Sequence, residues 1–426
     1  MKLLTVDTIA EARRKLLDCV KDRRIPFERV EVEQALGCVL AEDMISPLDI
    51  PGFRRSTVDG YAVISADTVG AGEALPVFLN LAGSVEMGKA GFAGAEAAAG
   101  TKVADFSIGR GQCAEVPTGG MLPEGADAVV MLEYSEPFDA VSVAVYEPAA
   151  VGSHVVQIGE DVRRGAPLLR RGSVIRSQET GVLAAAGITK APVYAPFTLS
   201  VISTGDELVS PAALPGPGEV RDINTWALGA LAARSGYRIT ASQTLKDDPA
   251  ALEKAVRAAM ETSDVVVLSG GSSQGAKDLT AGIFTRVSRP GVFCHGVAIK
   301  PGKPTILGYD EDSATILAGL PGHPVSALMV FRTLFSWLAL TLTGRREPFP
   351  IPAKMSCNLA ASPGRALYQP VALAPAGNGY LAKPLFGKAG MISTLTAADG
   401  YVVVDLNKEG LQKGEDVWVH LWGEGL

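Results

Sequence analysis

The sequence predicts a multidomain α/β plus β protein built around a central three-layer α/β domain, and three observations carry that prediction. With 426 residues, the chain exceeds what one ordinary hydrophobic core accommodates. Residues 197–344 alternate apolar strand-like runs with helical stretches, the pattern of a parallel sheet with crossover helices on both faces. Residues 46–140 and 345–426 carry short strand-like pieces and glycine turns with few helix signals, which predicts a small β domain and a C-terminal β-barrel.

Taken in order, the first element is an amphipathic helix capped near Asp7 or Thr8, followed by an extended piece after Pro26. Pro47, Pro51 and Gly52 mark entry into the small β domain. Strand-like pieces continue over 141–195, with a helix at Gln178–Ala186 ended by Gly187. The central unit reads as strand Phe197–Ser203, helix Thr225–Ser235, strand Tyr237–Leu245, helix Pro249–Thr262 and strand Val265–Ser269. Val325–Leu342 is long and apolar, but Arg332 interrupts it and Ser326, Thr333 and Ser336 recur through it. It reads as a helix buried against a sheet, not a membrane span.

Hydrophobic residues make up 47% and charged residues 20% of the chain, a globular composition. A formal net charge of −7 offers no global attraction to nucleic acid or an anionic membrane, so an anionic ligand requires a local basic site. The five cysteines are scattered and never form a C-x-x-C pair. A reducing, cytoplasmic compartment is expected.

Ligands of open α/β sheets bind beyond the carboxyl ends of the strands. After Phe197–Ser203 comes Thr204-Gly205-Asp206-Glu207, where Asp206 and Glu207 are either divalent-cation ligands or part of a capped turn. Asp222, in Val220-Arg221-Asp222-Ile223-Asn224, is a further metal or base candidate or a helix cap. After Val265–Leu268 comes Ser269-Gly270-Gly271-Ser272-Ser273, followed by Lys277-Asp278. Unhindered N–H groups and hydroxyls there can surround an anion, although the loop lacks P-loop and Rossmann spacing. Lys300 and Lys303 stand on a Pro/Gly scaffold and suit phosphate or other oxyanion oxygens. Pro321-Gly322-His323-Pro324 opens the long apolar helix, whose dipole favours an anion. Together these loops predict a pocket for a phosphorylated or oxyanionic ligand bridged by a divalent cation.

The ordered set TGDEL, SGGSSxG, AIKPGKP and LPGHPVSA resembles the molybdopterin molybdenumtransferases, called MoeA in bacteria and the gephyrin E domain in animals. Pro47–Phe53, Ser56–Ala62, Pro117–Gly120, Pro123–Val130 and Gly159–Asp161 also look like motifs of that family. The resemblance implies an elongated N-terminal domain (1–45 and 141–196) with the small β domain inserted at 46–140. It also implies a MogA-like molybdopterin-binding domain at 197–344 and the barrel at 345–426. It further implies a cytoplasmic homodimer whose site joins one chain's 197–344 unit to the partner's N-terminal region. The implied reaction takes adenylylated molybdopterin and molybdate, or tungstate, to molybdenum cofactor and AMP with Mg²⁺. The implied catalytic residues are Asp59, Asp161, Glu207, Asp222, Asp278, Lys300 and Lys303. Thr118, Gly205, Ser269–Ser273, Pro321–Pro324 and Ser393 would bind substrate, and Asp206, Glu207 and Asp222 would hold the metal. A molybdopterin adenylyltransferase and acceptor molybdoenzymes are the implied protein partners. Arg54, Arg55 and His323 depart from common family residues. Two alternatives are a catalytically silent molybdopterin-binding scaffold and a molybdopterin adenylyltransferase.

Overall fold

The structure, a computed structural model, describes residues 6–23, 25–89, 91, 106–270 and 274–422, with the backbone alone at 274–278. Two compact units form: Arg29–Val193, and Met1–Glu28 together with Tyr194–Leu426.

The larger unit is organised by a six-stranded sheet. Its strands are β1 (Phe197–Thr204), β2 (Tyr237–Leu245), β3 (Val265–Gly270), β4 (Pro290–His295), β5 (Ile306–Asp310) and β6 (Thr315–Leu320), in spatial order β2-β1-β3-β6-β5-β4. The pairs β1–β2, β1–β3 and β3–β6 are parallel, whereas β5 pairs antiparallel with both β6 and β4. The sheet is therefore mixed, and an antiparallel hairpin edge lies outside the alternation read from sequence.

Alternation along β3 shows why its run is continuously apolar. Val265 and Val267 enter one core with Leu228, Met329 and Phe331, while Val266 and Leu268 enter another with Leu252, Ile283 and Phe284. Both faces are covered, so both side-chain phases must be hydrophobic. Each fully buried side chain of this kind contributes about 1.5–3 kcal/mol.

The covering helices are α1 (Ile9–Val20), α2 (Asn224–Arg234), α3 (Pro249–Met260), α4 (Gln274–Val287) and the long helical run α5 (324–342). Helix α1 begins at a reciprocal capping box of Thr8 and Glu11, and buries Ala12, Leu16 and Val20. Helix α3 starts at the Asp248 cap with Pro249 in its first turn. Helix α5 is long and apolar enough to cross a membrane, but 78% of the relevant window is packed inside the protein. A π-turn spans Arg332–Ser336; nearby, Thr333 Oγ1 donates to the Met329 and Val330 carbonyls. Arg13 lies over the Trp337 ring at 4.5 Å, tying α1 to this helix.

In the last region, strands 366–376, 379–384, 351–355, 416–421 and 400–404 pair in that order, and the fifth returns to the first. The ring closes as a five-stranded barrel filled by Met355, Val371, Ala382, Val402, Val404 and Val419. Closure removes the exposed sheet edge.

The smaller unit contains a six-stranded sheet in spatial order 128–131, 60–63, 112–116, 77–84, 142–145, 135–137. Helix Ser177–Ala185 lies in the same unit, with Gly187 after it at φ +70°.

Candidate functional site

A cavity of about 320 Å³ opens at the carboxyl ends of β1, β3 and β6. Its walls include Glu207, Asp222, Asn224, Ser269–Gly270 and Gly322–Pro324, with Gly390 contributed by the barrel region. Parallel strands bring these chain-distant segments together because consecutive parallel strands all end at one edge of the sheet.

Gly270 closes the β3 end of this arrangement. Its φ is +158°, and a Cβ there would stand 2.2 Å from the Thr204 carbonyl oxygen on β1, closer than any side chain tolerates. Glycine is thus required for β1 and β3 to stay paired to their tips. At Gly205 the obstruction is a functional group: a Cβ would stand 2.7 Å from a carboxylate oxygen of Glu207. The missing side chain leaves room for that carboxylate beside the strand end.

Asp222 is 3% exposed. One carboxylate oxygen accepts from Thr225 N–H at 3.1 Å, and the other accepts from Thr244 Oγ1 at 2.6 Å. It therefore serves as the cap of α2, ties that helix to β2, and lines the cavity. Asn224 does not cap the helix but spans two loops. Its Nδ2 donates to Ser269 Oγ at 2.8 Å and to the Gly322 carbonyl at 2.9 Å, so one amide joins the loop ends of β3 and β6. Among the described residues its Oδ1 is buried without a hydrogen-bond partner. The sequence signal for this residue was a polar side chain at a helix start, which by itself indicates only a cap.

Several expected residues lie elsewhere. Asp206 is exposed, accepts from Asp247 N–H at 3.2 Å, and does not line the cavity. The alternative of a capped turn, with Asp206 opening a helix, does not hold either, because the chain enters the short strand Leu208–Val209. Among the described residues no group of three His, Cys, Asp or Glu side chains could hold a metal ion, so Asp206, Glu207 and Asp222 do not form a three-carboxylate set. Glu207 and Asp222 do share the cavity. Two carboxylates are an oxygen donor pair of the kind that would suit a divalent cation such as Mg²⁺.

Lys300 and Lys303 are exposed and absent from the cavity wall. Lys300 sits in a two-residue strand paired with Ala366–Leu367. At Gly302 between them, a Cβ would stand 2.4 Å from the Val330 side chain, so this turn packs tightly on α5. The Pro321 carbonyl accepts from Ser269 Oγ at 3.4 Å. Ser393 is exposed at the start of a four-residue helix. Gly271, Ser272 and Ser273 lie outside the described residues, as does the side chain of Asp278. The start of α5 offers an anion less than its dipole suggests. Pro324 has no N–H, and that of Val325 donates to the Ala389 carbonyl.

The smaller unit gathers a second cluster. Gly119 N–H donates to the Ser56 carbonyl, Ser56 N–H to Gly120, and Thr57 N–H to His154. This knits the loops carrying Asp59 and Thr118. Thr118 N–H donates to Asp59 Oδ1 at 2.7 Å, and this bond holds the Asp59 carboxyl below the usual carboxylate range. Asp161 is exposed, and its N–H donates to the Ile50 carbonyl. Arg54 donates to the Ala126 carbonyl at 2.6 Å, which accounts for one of the two arginines as a loop tie.

Comparison with known proteins decides the family. The model "MoeA N-terminal region (domain I and II)" matches residues 7–187, "Probable molybdopterin binding domain" matches 200–339, and "MoeA C-terminal region (domain IV)" matches 352–422. Molybdopterin molybdenumtransferase 1 of Mycobacterium tuberculosis is 30% identical over 413 residues, covering 91% of this chain and 93% of that protein. The chain belongs to the molybdopterin molybdenumtransferase (MoeA) family. The Haemophilus influenzae molybdopterin molybdenumtransferase is 29% identical over 98% of this chain and 100% of its own length. The crystal structure of a molybdopterin biosynthesis MoeA protein from Pyrococcus horikoshii superposes with a TM-score of 0.80 at 34% identity, covering 98% of this chain and all of that one. The MoeA architecture thus extends along nearly the whole chain, barrel included.

Proposed function

We propose that this protein inserts molybdate into adenylylated molybdopterin, forming molybdenum cofactor and releasing AMP. The observation that carries the reading is the shared cavity at the ends of β1, β3 and β6, with carboxylates Glu207 and Asp222 facing polar, glycine-bearing loops. Membership of the MoeA family supplies the identity of the substrates.

The chemistry places two demands on such a cavity. Molybdate must exchange oxo groups for dithiolene sulfurs, and each oxo group leaving as water takes up two protons. Glu207 and Asp222 are the acidic side chains positioned to relay them. The adenylate bond must also break, which builds charge on phosphate oxygens. Ser269 and Gly270 are assigned to the phosphate side of the substrate, and Gly322–Pro324 to the opposite wall. Glu207 and Asp222 would also hold Mg²⁺, whose charge neutralises phosphate oxygens when bound. Asn224 holds the two walls at fixed separation, so the site is organised before substrate arrives.

The enzyme is proposed to act as a cytoplasmic homodimer, in which a second protomer supplies the cluster of Asp59, Thr118 and Asp161. The Lys300–Lys303 turn and Asp278 are assigned to anion binding at the margin of the site, on family resemblance.

The test mixes purified protein with adenylylated molybdopterin, Mg²⁺ and molybdate, and quantifies AMP and cofactor. Molybdate-dependent AMP release matched by cofactor formation supports insertion. ATP consumption with unmodified molybdopterin would replace it with adenylylation, and binding without turnover would replace it with a scaffold role.

A further inference from the structure

The cavity has two carboxylates, yet its proposed substrate is an anion, and Lys300 and Lys303 do not line it. Among the described residues that do, Arg221 is the only lysine or arginine. Its backbone is fixed because Val220–Arg221 pairs with Leu208–Val209. The side chain is exposed, and its guanidinium is held at one corner. Nε–H donates to the carbonyls of Pro211 and Ala213, at 3.0 and 3.1 Å. Among the described residues the guanidinium's hydrogen bonds are these two, both through Nε, and its Nη groups carry none. A guanidinium anchored at one corner, with its Nη N–H groups unspent, is an oxyanion fork with little left to order on binding.

We infer that Arg221 binds the phosphate linkage of the adenylylated substrate through its Nη groups, supplying the one lysine or arginine charge that the described residues bring to the cavity wall. This rests on the molybdenum-insertion reading and goes beyond it by assigning a residue that the motif comparison left unassigned. Arginine is the appropriate cation because its planar fork meets two phosphate oxygens at once, whereas a lysine meets them as a point charge. Arg221 takes no part in proton transfer. It grips phosphate oxygens that are already charged in the bound substrate and remain so in released AMP, so its contribution appears mainly in KM.

The test uses the full-length protein, wild type and the variants Arg221→Ala and Arg221→Lys. AMP affinity is measured by calorimetric titration, and kcat and KM are measured for adenylylated molybdopterin. Thermal melting checks that each variant folds; Arg221→Lys serves if the alanine variant does not. The expected result is an AMP affinity and a KM at least tenfold weaker in Arg221→Ala, with kcat changed less than threefold. Arg221→Lys should fall between it and the wild type. Wild-type AMP affinity and KM in both folded variants overturn the assignment and leave molybdenum insertion standing. A wild-type protein that releases no AMP and binds none overturns the functional reading and the assignment with it.

Discussion

The two clusters of polar residues in this protein are built in opposite ways. At the strand ends of the central sheet, Ser269, Asp222 and Asn224 are 1%, 3% and 7% exposed, and each is tied to a neighbour by hydrogen bonds. In the smaller unit, Asp59, Thr118 and Asp161 are exposed on loops, and apart from the bond to the Asp59 carboxylate the ties run through backbone groups around them. Burial makes the first cluster rigid and intolerant of change, because losing a hydrogen bond inside a low-dielectric core is costly. Exposure leaves the second cluster free to meet another surface while costing the fold little.

Substitutions sharpen this contrast in a graded series. The largest effect is expected for Gly270→Ala, whose methyl group would strike the Thr204 carbonyl. Parting β1 from β3 should cost about 3 kcal/mol, the upper end for forced overpacking, read as a lowered denaturant midpoint. Wild-type stability would show that the strand tips are not the rigid element described. Next, Glu207→Gln should leave the melting temperature close to wild type and slow AMP release about a hundredfold, the loss typical of a proton-transfer group. Gly205→Ala should act through the same carboxylate, displacing it from beside the strand end, and reduce turnover about tenfold without unfolding the protein. Equal rates in the alanine and wild-type proteins would show that the position of Glu207 has no bearing on turnover. The smallest effect on stability belongs to Asp59→Asn. The Asp59 carboxyl is held below its usual range, so its contribution is present at neutral pH and is lost as pH falls through the lowered folded-state value. Melting at pH 7 should change little, and the difference between Asn and Asp proteins should shrink further in acid. A difference that grows as pH falls would reverse that assignment.

The central sheet was legible from sequence because a strand covered on both faces must be apolar in both side-chain phases, as Val265–Leu268 of β3 is. The Tyr237–Leu245 strand was found at its observed bounds, although its exposed positions reflect an edge place in the sheet. The hairpin edge of β4 and β5 was not read, since short strands there lack the strand–helix alternation that marks their neighbours. Within the site, glycine-bearing strand ends pointed to the cavity wall that Ser269, Gly270 and Gly322 form. Side-chain direction was not legible. Asp206 and Glu207 are adjacent in sequence, yet only Glu207 lines the cavity. Lys300 and Lys303 look like an anion cradle, but the turn between them is packed on Val330. Arg221, one residue from a recognised carboxylate, gave no signal because its role depends on the Pro211 and Ala213 carbonyls folding back to it.

The account stands most directly on where the substrates sit. A crystal structure of the full-length protein with AMP and molybdate should show both ligands in the cavity bounded by Glu207, Ser269–Gly270 and Gly322–Pro324. Ligands ordered at another surface, with that cavity holding only water, would contradict it.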